Sequence, residues 1–101
     1  MPSVQEFFDG LPGRADPERL GETNNTYVFD IEGAGVWTVK IAGGAIEVTE
    51  GASDADVTFS ASAENFEKMI NGEQNPTTAY MTGKLKIKGD MGAAMKLQKL
   101  F

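Results

Sequence analysis

Residues 75–101 read NPTTAYMTGKLKIKGDMGAAMKLQKLF, and within them the apolar period changes twice. Asn75-Pro76 is an N-cap and first-position pair; it predicts a short helix through Tyr80 and Met81, stopped by Gly83. In KLKIK the period drops to two: Leu85 and Ile87 share one side, and Lys84, Lys86 and Lys88 the other. Gly89 breaks that strand. Asp90 then caps a last helix that uses Met91, Ala94, Met95, Leu97, Leu100 and Phe101.

Further towards the N-terminus the same two periods recur. Ser62 caps a helix carrying Phe66, Met69 and Ile70 at i, i+3 and i+4, stopped by Gly72. Before it come four strands. Tyr27, Phe29 and Ile31 alternate with Thr26, Val28 and Asp30, and Trp37, Val39 and Ile41 with Val36, Thr38 and Lys40. Ile46 and Val48 mark the third strand, Val57 and Phe59 the fourth. Short Gly-rich turns join the first three into an antiparallel meander. At the start, Ser3 and Glu6 form a capping box before Val4, Phe7, Phe8 and Leu11, and Asp16-Pro17 opens a second short helix. One apolar sheet face must bury every helix. The expected fold is therefore a two-layer α+β domain with helices on one sheet face, and residues 1–101 read as one domain.

The chain lacks both histidine and cysteine. That removes the commonest general base, the commonest transition-metal ligand, thiol chemistry and disulfides. A carboxylate-based enzyme would need an acid on an apolar face, where burial raises its pKa, and every strand Asp or Glu falls on a polar face instead. Asp54 and Asp56 do not supply the array of oxygens that Ca²⁺ requires. Net charge is −6, unevenly distributed: residues 1–83 carry 4 basic against 14 acidic side chains, and residues 84–101 carry 5 Lys against Asp90 alone. The acidic bulk argues against nucleic acid as a partner. No apolar run is long enough to span a bilayer, and MPSVQEFFDG has no secretion-signal pattern, so a cytoplasmic protein is expected.

The last helix carries an apolar band wider than one sheet contact requires. Read alone, it is equally a buried core helix or a helix with one row on the sheet and the other facing a cavity. Four of the five methionines fall in the expected helices of residues 62–101, and methionine repacks readily around guests of differing shape. Gln98 suits either a water-facing helix edge or a polar group placed for a ligand carboxylate or hydroxyl. Gly92 sits in a helical first turn, where glycine costs up to ~1 kcal/mol relative to alanine, so close approach by a neighbour or ligand is expected there. The row Lys84, Lys86 and Lys88 reads as a solvated face that protects an edge strand, with transient contact to an anionic membrane as the alternative. So wide an apolar band would also serve a homodimer interface.

Asn75-Pro76, the run Gly83 through Ile87, Gly89-Asp90-Met91-Gly92 and Met95-Lys96-Leu97 together resemble the C-terminal signature of the sterol carrier protein 2 family. The resemblance extends, as element order, over nearly the whole chain. It implies a five-stranded sheet, in which the three-strand antiparallel meander crosses over to two more strands, with helices covering one face and an apolar tunnel between the layers. It also implies non-catalytic binding and transfer of long-chain lipids: fatty acids, fatty acyl-CoA or sterol-like molecules. Mapped onto this chain, the tunnel wall is Met91, Met95, Gln98 and Phe101, with Phe66, Met69, Ile70, Tyr80 and Met81 as neighbours. No cofactor and no metal are implied. The short N-terminal helical region implies a thinner wall on that side, and the closing Lys-Leu-Phe is not a peroxisomal address, as in stand-alone bacterial or archaeal members. The alternative reading is an accessory domain that presents a lipophilic intermediate, such as a quinone precursor, to a partner enzyme.

Overall fold

The computed structural model describes residues 3–98, and Gln98 only as part of the backbone. Helix α1 (Val4–Gly10) starts from the expected capping box: Ser3 Oγ accepts from the Glu6 amide at 3.2 Å, and Glu6 Oε1 accepts from the Ser3 amide at 3.3 Å. A 3₁₀ turn (Leu11–Arg14) follows, then α2 (Pro17–Leu20), capped by Asp16. The strands are β1 (Asn25–Glu32), β2 (Gly35–Ala42), β3 (Ala45–Glu50) and β4 (Val57–Ser62). Helices α3 (Ala63–Ile70) and α4 (Pro76–Met81) precede β5 (Lys86–Gly89), and α5 (Met91–Gln98) comes last.

The sheet order is β3-β2-β1-β4-β5, with β1 and β4 parallel and every other neighbouring pair antiparallel. This is the expected meander plus crossover in an α+β fold. The crossover itself, residues 51–56, is short for a parallel connection. Its register explains how it fits. Glu50, Trp37, Phe29 and Phe59 stand level across four strands, so the chain backs up only from that level to Val57. It crosses three strand spacings, about 14 Å, within the reach of six residues.

The crossover lies on the sheet's outer face. Thr38 Oγ1 donates to the Gly51 carbonyl at 2.7 Å and accepts from Ser53 Oγ at 3.3 Å, while Asp56 Oδ2 accepts from the Thr26 amide at 2.8 Å. Val28 and Thr38, cross-strand partners expected on an open polar face, are consequently only 4% and 7% exposed.

The opposite face carries the core. Phe8 of α1 stacks on Trp37 at 4.5 Å and on Phe66 at 5.6 Å, and Phe29 stacks on Phe59 at 5.0 Å. Such ring pairs contribute about 0.5–1.5 kcal/mol each beyond the area they bury. Leu85, expected inside the fifth strand, lies just before β5; its amide and that of Lys84 bond the Ala79 carbonyl, so the chain wraps the end of α4 before pairing begins.

Candidate functional site

A cavity of about 260 Å³ opens between the sheet and the last three helices. Phe29, Phe59, Leu85 and Ile87 form its floor. Phe66, Met69 and Ile70 of α3 form one wall, and Pro76, Thr77 and Tyr80 of α4 a second. Met91, Ala94, Met95 and Leu97 of α5 form the third. Only the hydroxyls of Thr77 and Tyr80 interrupt a lining otherwise apolar in its side chains. Tyr80, Met91 and Met95 are 43%, 43% and 64% exposed, which places the mouth of the cavity between α4 and α5.

Each wall is held by a local device. Asn75 Oδ1 caps α4, accepting from the amides of Thr77 at 2.8 Å and Thr78 at 3.3 Å. Ser62 Oγ caps α3 through the Asn65 amide. Asp90 Oδ1 caps α5, accepting from Gly92 at 2.8 Å and Ala93 at 3.2 Å. The expected close approach at Gly92 is this cap: a Cβ there would meet Asp90 Oδ1 at 3.2 Å, and no side chain or backbone from another element comes within 4 Å.

Helix α5 is fastened to the sheet by Tyr27, whose buried phenol donates to the Ala93 carbonyl at 2.7 Å. Burial pushes the Tyr27 pKa above its ordinary value; a hydrogen bond with Asn25 opposes this, and the charges of Asp56 and Asp90 add to it. The phenol is therefore a neutral donor at physiological pH. Ala93, Ala94 and Leu97 are buried, and Met91 and Met95 are exposed. One row of the helix thus docks on the sheet while the next borders the cavity. Leu97 also faces a small gap lined by Leu11, Val39, Ile41 and Ile46 and, towards the N-terminal helices, by Arg14, Asp16 and Arg19, so it stands between the cavity and the meander.

Of the nine residues expected at the site, the fold brings six around this cavity: Phe66, Met69, Ile70, Tyr80, Met91 and Met95. Met81 is a correction. It is 79% exposed and absent from the lining, because the α4 face formed by Pro76, Thr77 and Tyr80 turns it about 100° away from the cavity. The Gln98 side chain and Phe101 lie outside the described residues. Sequence reasoning missed the floor and the small residues of the walls. Phe29, Phe59, Leu85 and Ile87 carry an ordinary inward strand pattern, and only the tertiary gap above them distinguishes floor from core.

Among the described residues, no three His, Cys, Asp or Glu side chains come together as a metal would require. No helix among them is long and apolar enough to cross a membrane.

Comparison with known proteins agrees with this fold. The chain is 42% identical over 101 residues to hydroxysteroid dehydrogenase-like protein 2 of Danio rerio, a match that covers 96% of this chain and 24% of that protein. It therefore spans about a quarter of that relative, whose name refers to the longer whole. The solution structure of sterol carrier protein domain 2 of Helicoverpa armigera superposes with a TM-score of 0.76 at 31% identity, covering 93% of this chain and 79% of that one. The palmitated SCP2L2 of Aedes aegypti shares the fold with a TM-score of 0.79 at 22% identity, over 98% of this chain and 94% of that one. The SCP-2 sterol transfer family model matches residues 5–101, and the chain belongs to that family.

Proposed function

We propose that this domain binds a long-chain lipid, such as a fatty acid or its acyl-CoA, in the cavity under α5, and that it acts as a carrier rather than a catalyst. The observation that carries this reading is the cavity itself: apolar on three walls and the floor, open at one end, with two hydroxyls and no carboxylate in its lining. Such a site offers nothing to a proton-transfer reaction but suits an alkyl chain. Burial contributes roughly 0.8 kcal/mol per CH₂, so a chain of about 16 carbons sets about 13 kcal/mol against the roughly 4–15 kcal/mol that association costs. The cavity is slightly smaller than the roughly 300 Å³ at which small-molecule sites begin, so an acyl chain must displace side chains. The adaptable Met69, Met91 and Met95 are the ones placed to yield. Thr77 and Tyr80 supply hydroxyls for a ligand head group, Tyr80 from the mouth. The palmitated relative of the same fold supports the choice of an acyl chain.

Organic extraction of the purified protein, read by mass spectrometry, should yield long-chain lipid, and a fluorescent fatty acid should titrate saturably. Ala94→Leu adds three carbons at a buried position of the α5 wall; it should weaken that binding by about tenfold, with an overpacking cost of about 1–3 kcal/mol in stability. No extracted lipid together with no saturable binding would sink the reading.

A second reading, presentation of a bound lipophile to an enzyme, is favoured by the match to a quarter of a longer dehydrogenase-like protein. It predicts that joining this domain to an enzyme domain lowers the KM for a poorly soluble substrate while kcat stays unchanged.

A further inference from the structure

We propose that the methionines of the cavity are reductants for lipid hydroperoxides, so that a peroxidised fatty acid bound there gives up one oxygen to Met91 or Met95; the inference rests on the lipid-carrier reading. The chain has no cysteine, so thioethers are its only sulfur. Among the described residues the methionines are Met69, Met81, Met91 and Met95. Three of them, Met69, Met91 and Met95, line the same cavity, from the walls that α3 and α5 supply. Met91 and Met95 stand four residues apart on α5, hence on one face, with Cβ atoms about 5–6 Å apart. Core packing does not account for this pair, because Ala93, Ala94 and Leu97 are the buried residues of the helix and both methionines are exposed. The result is two accessible thioethers side by side where an acyl chain enters.

The chemistry balances between ligand and side chain. The thioether sulfur attacks the outer oxygen of the hydroperoxyl group; the O–O bond breaks and an S–O bond forms. Sulfur is oxidised by two electrons to the sulfoxide. The inner oxygen keeps the electron pair of the O–O bond, takes the proton from the outer oxygen and becomes the hydroxyl of a hydroxy acid. No base and no further reductant enters the balance, which suits a lining without a carboxylate; the hydroxyls of Thr77 and Tyr80 stand in the same lining to relay the proton. Binding holds the O–O bond beside the sulfur, and that proximity replaces a slow encounter in water. A sulfoxide is polar and chiral, so its formation in an apolar wall loosens the grip on the next acyl chain until a methionine sulfoxide reductase restores the thioether.

The test treats the full chain with linoleic acid hydroperoxide in metal-free buffer, with hydrogen peroxide as the soluble control. Peptide mass spectrometry reads the added oxygen at each methionine, and chromatography reads the hydroxy acid. Hydrogen peroxide should oxidise in order of exposure, Met81 first at 79%. The lipid hydroperoxide should reverse that order, oxidising Met91 and Met95 at least about tenfold faster than Met81, with one hydroxy acid formed per sulfoxide. Excess palmitic acid should suppress this oxidation. Met81→Leu should leave the hydroxy-acid yield unchanged, since Met81 lies outside the lining. Met91→Leu combined with Met95→Leu should lower the yield per bound hydroperoxide by at least about fivefold. Oxidation in order of exposure by both oxidants, or an equal yield per bound molecule from the double variant, overturns the proposal; the carrier reading stands if a fluorescent fatty acid still titrates saturably. Absence of that titration removes both readings.

Discussion

At the scale of single residues, Tyr27 matters most for the site, because its hydroxyl ties the helix that walls the cavity to the central strand. Tyr27→Phe keeps the ring and removes the bond, which should cost about 0.5–1.5 kcal/mol, or roughly 4–8 °C of melting temperature per kcal/mol. The pH dependence has a definite sign. Burial raises the folded-state pKa above the ordinary value near 10, so the stabilisation is fully present below about pH 10 and is lost as pH rises through the folded-state value. Alkaline titration of stability should show this loss in the unaltered chain, and Tyr27→Phe should lack it; identical alkaline profiles would remove Tyr27 as its source. The anchor was not legible beforehand. Tyr27 sits on the apolar side of a strand and reads as core, and its acceptor, Ala93, is 66 residues away.

At the scale of elements, period and caps made the order of helices and strands legible, because Ser3, Asp16, Ser62, Asn75 and Asp90 each perform the cap that their position implied. Faces were less legible than elements. Met81 was misplaced because six-residue α4 is too short for its apolar spacing to show which side turns inward. Val28 and Thr38 alternate as an open face would, and only the non-local crossover buries them. The junction from β5 to α5 shows how tightly a boundary can be specified. Gly89 has a φ of +118°, and a Cβ there would fall against the Asp56 carbonyl oxygen, which accepts from the Asp90 amide. Gly89→Ala should therefore cost roughly 3 kcal/mol or more, from backbone strain plus a displaced strand end. Denaturant unfolding measures the loss, and a stability near that of the unaltered chain would mean that this junction relaxes freely.

At the scale of the whole molecule, the described residues divide into a meander over its helical cap, ending near Glu50, and a later half that supplies all of the cavity except Phe29. The six-residue crossover joins them, and it has a kinetic consequence. β4 gains its parallel partner only once β1 is already in place, and β5 in turn pairs only with β4. The lipid site should thus be the last part of the chain to assemble and the first to open, since contacts distant in sequence form late and local stability varies across a fold. Amide hydrogen exchange should find the slowest amides in β1 and β2 and faster ones in α4 and α5, with added fatty acid slowing the latter group selectively. Uniform protection across both halves would contradict this division. A crossover that merely clips over one face of a sheet would then also separate the half of the chain that must stay folded from the half that must yield to admit a guest.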